Sequence, residues 1–326
     1  MPQSLILKLV AQDAIAPQHL RGYSLQQLFF DLVEAVDFDL GRVLRRDKYN
    51  CAYRFSALQV SAPQVSAPQV SPPKSLSKNS KLSKRKLAQH PSAQASARPI
   101  NDKLSSQKSI LNYVCNTPLS PQTDCWWRIT LLDDALLDHL VVLWNQIGNE
   151  TFQLGSAGVR ITHATIDTKA NNWANSCSYQ DIYEGASSYE RDIHLQIITP
   201  AAFHQNNNIT PLPTTEAVFQ PLRKCWNYYS RLAFAPSLIN NLVPNSFDIQ
   251  TSPIQDIRQN SRKITMGCTG HISFRIISED PLIIKRINTL ADYTQYCGIG
   301  YNARLGLGVI RRFSASTAAV GQSTVI

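Results

Sequence analysis

The chain has 326 residues, enough for two domains of roughly 100–150 residues each. Hydrophobic residues make up 43%, aromatics 9% and charged residues only 17%, a balance that excludes a wholly disordered, collagen-like or coiled-coil chain. The formal charge of +9 is concentrated in one stretch: residues 71–108 carry nine lysines and arginines against Asp102 alone. No apolar run approaches the roughly 20 residues of a membrane span. The opening MPQSLILKLVAQDAIAP lacks the basic start, long apolar run and cleavage site of a secretion signal, so a cytoplasmic location with no membrane partner is expected. Seven cysteines without a C-x-x-C pair suggest neither a disulfide framework nor a zinc knuckle, and no metal or other cofactor is expected.

In chain order, residues 4–10 (SLILKLV) read as a strand, and 23–36 place Leu25, Leu28, Phe29, Leu32, Val33 and Val36 on one helical face. A strand follows at 53–60 (YRFSALQV). It runs into the reiterated QVSAPQVSAPQVSPP of 59–73 and then into the Ser/Lys/Gln/Ala-rich stretch. Such a composition cannot bury enough apolar surface to offset its ordering entropy, so 61–110 reads as a disordered basic insertion. It is either a mobile arm that attaches to nucleic acid without sequence preference or a solvated loop expansion. A strand at 126–133 (WWRITLLD), a helix at 133–147 with Leu137, Leu140, Val141 and Trp144 on one stripe, and a strand near 158–166 complete a βαββαβ order.

The second half repeats that order. A strand at 192–199 (DIHLQIIT) precedes a helix at 215–232 carrying Phe219, Leu222, Trp226 and Tyr229. Strands near 246–256 and 270–278, a helix at 281–296 and a strand at 307–313 follow. The fold class is therefore α+β, two tandem ferredoxin-like (βαββαβ) domains at 1–185 and 186–326, with the disordered basic insertion in the first.

The segment Gly298-Ile299-Gly300-Tyr301-Asn302-Ala303-Arg304-Leu305-Gly306-Leu307-Gly308 packs four glycines and one arginine between a helix and a strand. Glycine lets backbone N–H groups approach an anionic backbone because no Cβ stands in the way. A dinucleotide-binding fingerprint needs a strand before the loop and a helix after it, and here the order is reversed. A P-loop needs Gly-Lys-Ser/Thr, which is absent. A tight connection that uses glycine only for positive φ remains the other reading.

The run Leu290–Gly308, LADYTQYCGIGYNARLGLG, resembles the C-terminal signature of the CRISPR repeat-processing endoribonucleases of the RAMP superfamily. Ile198-Thr199-Pro200-Ala201-Ala202-Phe203 resembles that family's Thr-Pro-x-x-Phe segment, and Cys225-Trp226-Asn227 its Trp-Asn helix. Gly267-Cys268-Thr269-Gly270-His271-Ile272 is similar to the small-residue start of its penultimate strand. The resemblance implies binding and cleavage of precursor repeat RNA into guide RNAs, by metal-independent attack of a ribose 2′-OH that leaves a 2′,3′-cyclic phosphate and a 5′-OH. It also implies repeat RNA, precursor and processed, as the partner, with other CRISPR effector subunits as further partners.

That reaction needs a base near the 2′-OH, a cation for the phosphorane and an acid for the leaving oxygen. The resembled family commonly places a histidine in or after its first helices. Here Gln26 stands in the first helix, and Leu40-Gly41-Arg42-Val43-Leu44-Arg45-Arg46 has arginine where relatives show a Leu-His pair. Gln is no base near neutral pH and Arg stays protonated. The replacement candidates are His19 as base, Tyr23 as acid, and Arg45 or Lys48 as the cation. Arg42 and Arg46 join them in a basic group suited to phosphate. RNA contact is further expected from Arg223 and Lys224 on the polar side of the 215–232 helix, and from Gly298, Gly300, Arg304, Gly306, Gly308 and Arg311 around the glycine loop. His139, His163, His194, His204 and His271 read as structural. Because the usual histidines are missing, the rival reading is a catalytically silent subunit that grips the repeat RNA within a larger assembly.

Overall fold

In the computed structural model, residues 1–46, 52–61, 111, 117–133, 140, 144, 145, 147, 150–206, 208–255 and 264–313 are described. The first half begins with β1 (Gln3–Ala11), whose alternation sends Leu5, Leu7, Leu9 and Ala11 into the core. A 3₁₀ turn at Pro17–His19 leads into α1 (Tyr23–Val36). Leu25, Leu28, Phe29, Leu32 and Val33 of α1 are buried in that same core, as their 3.6-residue period demands.

The chain then turns into a helix that the sequence reading did not foresee, α2 (Phe38–Arg46). Asp37 caps it, its carboxylate accepting the Leu40 N–H at 2.9 Å. Gly41 faces Glu34 so closely that a Cβ would lie 2.3 Å from the Glu34 Cγ, which brings α2 tightly against α1.

The expected strand over 53–60 is two short pieces, β2 (Tyr53–Phe55) and β3 (Gln59–Val60), both paired to β4 (Asp124–Leu131). The intervening Ser56 bonds instead to β4 through its N–H and hydroxyl. The expected disordered insertion, beyond Ser61, lies outside the described residues. So do Leu137 and Val141 of the expected 133–147 helix, whereas Leu140 and Trp144 are buried in the first core. β5 (Thr151–Leu154) and β6 (Ala157–Thr165) form a hairpin, and β7 (Asn175–Ser176) pairs β1. The strand order β2-β4-β1-β6, all antiparallel, is that of a ferredoxin-like sheet with β5 added at one edge.

A short α3 (Tyr179–Gly185), started by a capping box between Ser178 and Asp181, links the two halves. Strand β8 (Asp192–Ala201) follows, then the small β9 (Phe203–Gln205) and β10 (Asn208–Thr210) hairpin. Helix α4 (Thr215–Tyr229) is capped by Thr214, whose hydroxyl accepts from the Ala217 N–H. The long antiparallel pair β11 (Leu242–Gln255) and β12 (Ile264–Ile276) comes next. Helix α5 (Pro281–Cys297) is capped by Asp280, and β13 (Ile310–Phe313) closes the half. The order β11-β12-β8-β13 repeats the ferredoxin-like topology. Ile193, Leu195 and Ile197 of β8 meet Phe219, Leu222 and Trp226 of α4 and Ile287 and Leu290 of α5 in a second core.

The glycine loop occupies the space between α5 and β13, and its glycines are explained by close backbone approach. Gly300 has φ +79°, its Cβ position lies 2.4 Å from the Ala202 carbonyl oxygen, and the next amide, Tyr301 N–H, donates to that same carbonyl. Gly306, at φ +95°, sits over the Phe55 carbonyl and the Ala57 amide of the first half. A side chain at 300 costs the positive-φ strain of about 1–2 kcal/mol plus the clash. Gly300→Ala is therefore expected to lower the melting temperature by several degrees in a calorimetric scan, and an unchanged melt would show that the loop does not hold this conformation.

Candidate nucleic-acid interface

Two regions gather the residues that the sequence reading selected. The first is the start of α1. Gly22, at φ +67°, precedes Tyr23 and supplies no side-chain cap, so the first turn of α1 has no side-chain acceptor at its N-cap. His19 is half-buried, with its Nδ1 2.9 Å from the Ser24 hydroxyl oxygen. Its ring lies where a Cβ on Gly155 would be, 2.5 Å from that position, so only glycine at 155 leaves room for it. Tyr23 is half-buried beside it in sequence. Gln26, by contrast, is buried and donates from Nε2 to the Tyr53 hydroxyl at 2.9 Å. Its position faces the core.

Arg45 is committed to the helix pair. It bonds Glu34 through Nε at 2.9 Å and Asp31 through Nη2 at 2.9 Å, with Gln27 as a further acceptor. The hydrogen bond from Arg45 holds the Glu34 carboxyl below the usual carboxylate range. Two carboxylates already balance its charge, so the structure gives Arg45 a partner set of its own rather than an open guanidinium. Arg42 and Arg46 are exposed on the same helix, while Lys48 lies outside the described residues.

The second region is where the glycine loop meets the first half. Amides of the loop are largely used within the fold: Ile299 N–H donates to Gly308, Tyr301 N–H to Ala202, Gly308 N–H to Pro200 and Val309 N–H to the Thr199 hydroxyl. Thr199 in turn donates to the Gly306 carbonyl at 2.8 Å. The loop is thus a rivet of backbone hydrogen bonds to the 198–203 segment, the same segment that the sequence reading singled out. Arg304 is half-buried on it.

Sequence reasoning missed the centre of this junction. Arg128 of β4 is buried, donates from Nε to Ser4 Oγ at 2.6 Å and from Nη2 to the Gln295 carbonyl of α5, and lies over the Trp173 ring at 5.3 Å. Arg311 of β13 lies over the same ring at 3.5 Å and donates to the Asn172 carbonyl. Burial, followed by the positive charge of Arg311, lowers the Arg128 pKa to about 9, so it still carries its charge at neutral pH. The only foretaste in the sequence is the alternation of Trp126-Trp127-Arg128, which sends Trp127 into the first core and the other two to the opposite sheet face. Both tryptophans are buried.

Arg223 corrects the expectation made for it. It is buried, donating to the Phe234 carbonyl at 2.8 Å and to Gln220, because the 229–234 turn folds back over that side of α4. Lys224 and Tyr228 remain exposed.

Two antiparallel ferredoxin-like sheets joined through such a loop define a protein of the RAMP fold class. Residues 1–87 and 78–184 match the CRISPR Cas6 N-terminal domain, and residues 195–310 match the CRISPR-associated endoribonuclease Cas6. The chain belongs to the Cas6 family. A Cas6 product complex superimposes with a TM-score of 0.66 at 16% identity, over 96% of this chain and 100% of that one. Thermus thermophilus Cas6 gives 0.58 at 15% identity over 96% and 98%, and a RAMP protein binding different RNA substrates gives 0.50 at 8% over 96% and 100%. Among curated proteins no sequence matches. Among the described residues, no helix is long and apolar enough to cross a membrane.

The different fates of two neighbouring cations are testable. Arg223→Ala removes a buried hydrogen-bonding cation and is expected to cost about 2–3 kcal/mol of stability with RNA affinity per folded molecule unchanged. Lys224→Ala is expected to leave the melt unchanged and reduce the salt slope of RNA binding by about one. The reverse pattern in paired melting and salt-titration experiments would show that Arg223 faces the RNA.

Proposed function

We propose that the chain binds CRISPR repeat RNA and cleaves it without a metal ion, using the ribose 2′-OH beside the scissile phosphate as nucleophile. The observation that carries this reading is the fixed imidazole of His19 at the uncapped start of α1. In the tautomer that donates Nδ1–H to Ser24 Oγ, Nε2 keeps its lone pair and can take the proton of the 2′-OH. As the oxygen attacks phosphorus, negative charge grows on the phosphorane oxygens. The first-turn amides of α1 and the positive end of its dipole are suited to that charge. Tyr23 is the acid candidate for the leaving 5′ oxygen. The cation of the site is Arg45, which Asp31 and Glu34 also hold, or Lys48, the other candidate in the sequence, and Arg42, Arg46 and Lys224 are assigned to phosphates away from the cut. Within this reading residues 1–185 form the domain that carries the reacting groups, and 186–326 the domain that carries the glycine loop.

The test is single-turnover cleavage of repeat RNA from the genome that encodes the chain. Cleavage is expected to persist in EDTA, to stop when a 2′-deoxy nucleotide precedes the scissile phosphate, and to leave 5′-OH and 2′,3′-cyclic phosphate ends. His19→Ala is expected to slow it by roughly two to four orders of magnitude without weakening binding. Ser24→Ala, which only frees the ring, is expected to cost less than His19→Ala, and Tyr23→Phe to slow cleavage without affecting binding. Full activity in His19→Ala would remove the histidine from the mechanism. Tight binding with no cleavage by the unaltered protein would favour the silent RNA-binding subunit.

A further inference from the structure

The open face of the second sheet, opposite α4 and α5, is not built like a surface that merely meets water. Since Ile193, Leu195 and Ile197 point into the core, their neighbours His194 and Gln196 point to the other face. Strand registers then place two rows across the four strands. One row reads Arg311, Gln196, His271, Asp248 and the next reads Phe313, His194, Ser273, Ser246. The Phe313 ring contacts both histidines, His194 at 5.7 Å and His271 at 5.4 Å, the latter edge to face. His271 and Gln196 are exposed, and His194 and Phe313 are half-buried. Ser246 and Ser273 satisfy each other at 2.6 Å.

The equivalent face of the first sheet is occupied by protein: Ile6 and Trp126 are buried with Trp173 and Val309. On the second sheet, no described helix covers the aromatic rows. Beside them, a cavity of about 550 Å³ is lined by Phe313, Arg311, Arg312, Asn172, Asp292 and Gln295, among others. Arg312 in this cavity is already matched by Glu190 and Asp292 at 2.9 Å each. Arg311 has no carboxylate partner among the described residues and is held by the Trp173 ring and a carbonyl, so its positive charge is uncompensated beside the platform.

Flat rings on an exposed pleated surface, with amide and imidazole groups between them and a cation at the end of the row, suit unpaired nucleobases. The rings stack, the polar groups meet base edges, and the cation meets the intervening phosphate. Stacking needs free base faces, which an unpaired segment offers and a duplex does not. We propose that this face, centred on Phe313, His194 and His271, is a stacking platform for an unpaired segment of the RNA flanking the repeat hairpin. The proposal rests on the reading of the chain as a repeat-RNA binder.

The experiment compares two RNAs, the repeat hairpin with its single-stranded flank and the hairpin trimmed to its stem, in equilibrium binding to the full chain. Phe313→Ala is expected to weaken binding of the flanked RNA roughly tenfold, as loss of a base–aromatic stack does, and to leave the trimmed hairpin unaffected. Phe313→Trp is expected to restore it. Since Phe313 is half-buried, the exposed His271→Ala provides a second arm, expected to weaken only the flanked RNA. Abasic substitutions in the flank should produce the same loss in the unaltered protein and no further loss in Phe313→Ala. Equal affinity of the unaltered protein for both RNAs, or equal loss on both RNAs in the two variants, would overturn the platform while leaving RNA binding in place. Failure of the unaltered protein to bind either RNA would instead overturn the repeat-RNA reading, and the platform with it.

Discussion

The two sheets are joined through a buried charge that has no counter-ion among the described residues. Arg128 reaches from the first sheet to the Gln295 carbonyl of α5, and Arg311 approaches the same Trp173 ring from the second. Among the described residues neither has a carboxylate partner. A buried cation is tolerable only when its donors are satisfied and its charge is met by something electron-rich, here carbonyl oxygens and the face of an indole. Those requirements fix where Trp173, the end of α5 and the start of β13 must lie. They also leave the junction positive, in keeping with a protein whose substrate is a polyanion.

The glycine loop takes its meaning from this junction. Its four glycines appear in the sequence as a cradle for an anion, yet the hydrogen bonds show them chiefly as places where backbone passes backbone. Gly300 abuts Ala202, Gly308 abuts Ile299 and Gly306 abuts Phe55. The Cas6 signature is therefore a packing signature to a large extent, and it covers the contact that seats one half on the other. Under the proposed function, RNA contact near the loop is assigned to what surrounds it, Arg304 and the β13 side chains, more than to the glycine amides themselves.

Much of the architecture was legible because its determinants are periodic. The β8 alternation and the α1 stripe each commit the backbone locally, and the repeated βαββαβ order follows from such patterns. What stayed hidden depends on contacts between distant residues. Arg223 sits on the polar side of its helix by periodicity, and only the return of Phe234 over that side buries it. Arg45 reads as a free phosphate ligand until α2 folds against α1 and brings Asp31 and Glu34 to it. Of the candidate site, His19 was legible as the nearest histidine to the first helix. Its hydrogen bond to Ser24 and its seat on Gly155 were not, since the latter joins residues more than a hundred positions apart. His194 and His271 read as structural one at a time and gain a common face only through strand register.

The central claim is that the scissile nucleotide lies at the start of α1 while the glycine loop seats the fold. Placing a photoreactive 4-thiouridine beside the scissile phosphate and mapping the crosslinked peptide tests it most directly. The adduct is expected on the peptide spanning His19, Tyr23 and Ser24. An adduct confined to Gly298–Gly308, with none on the first half, would contradict the account.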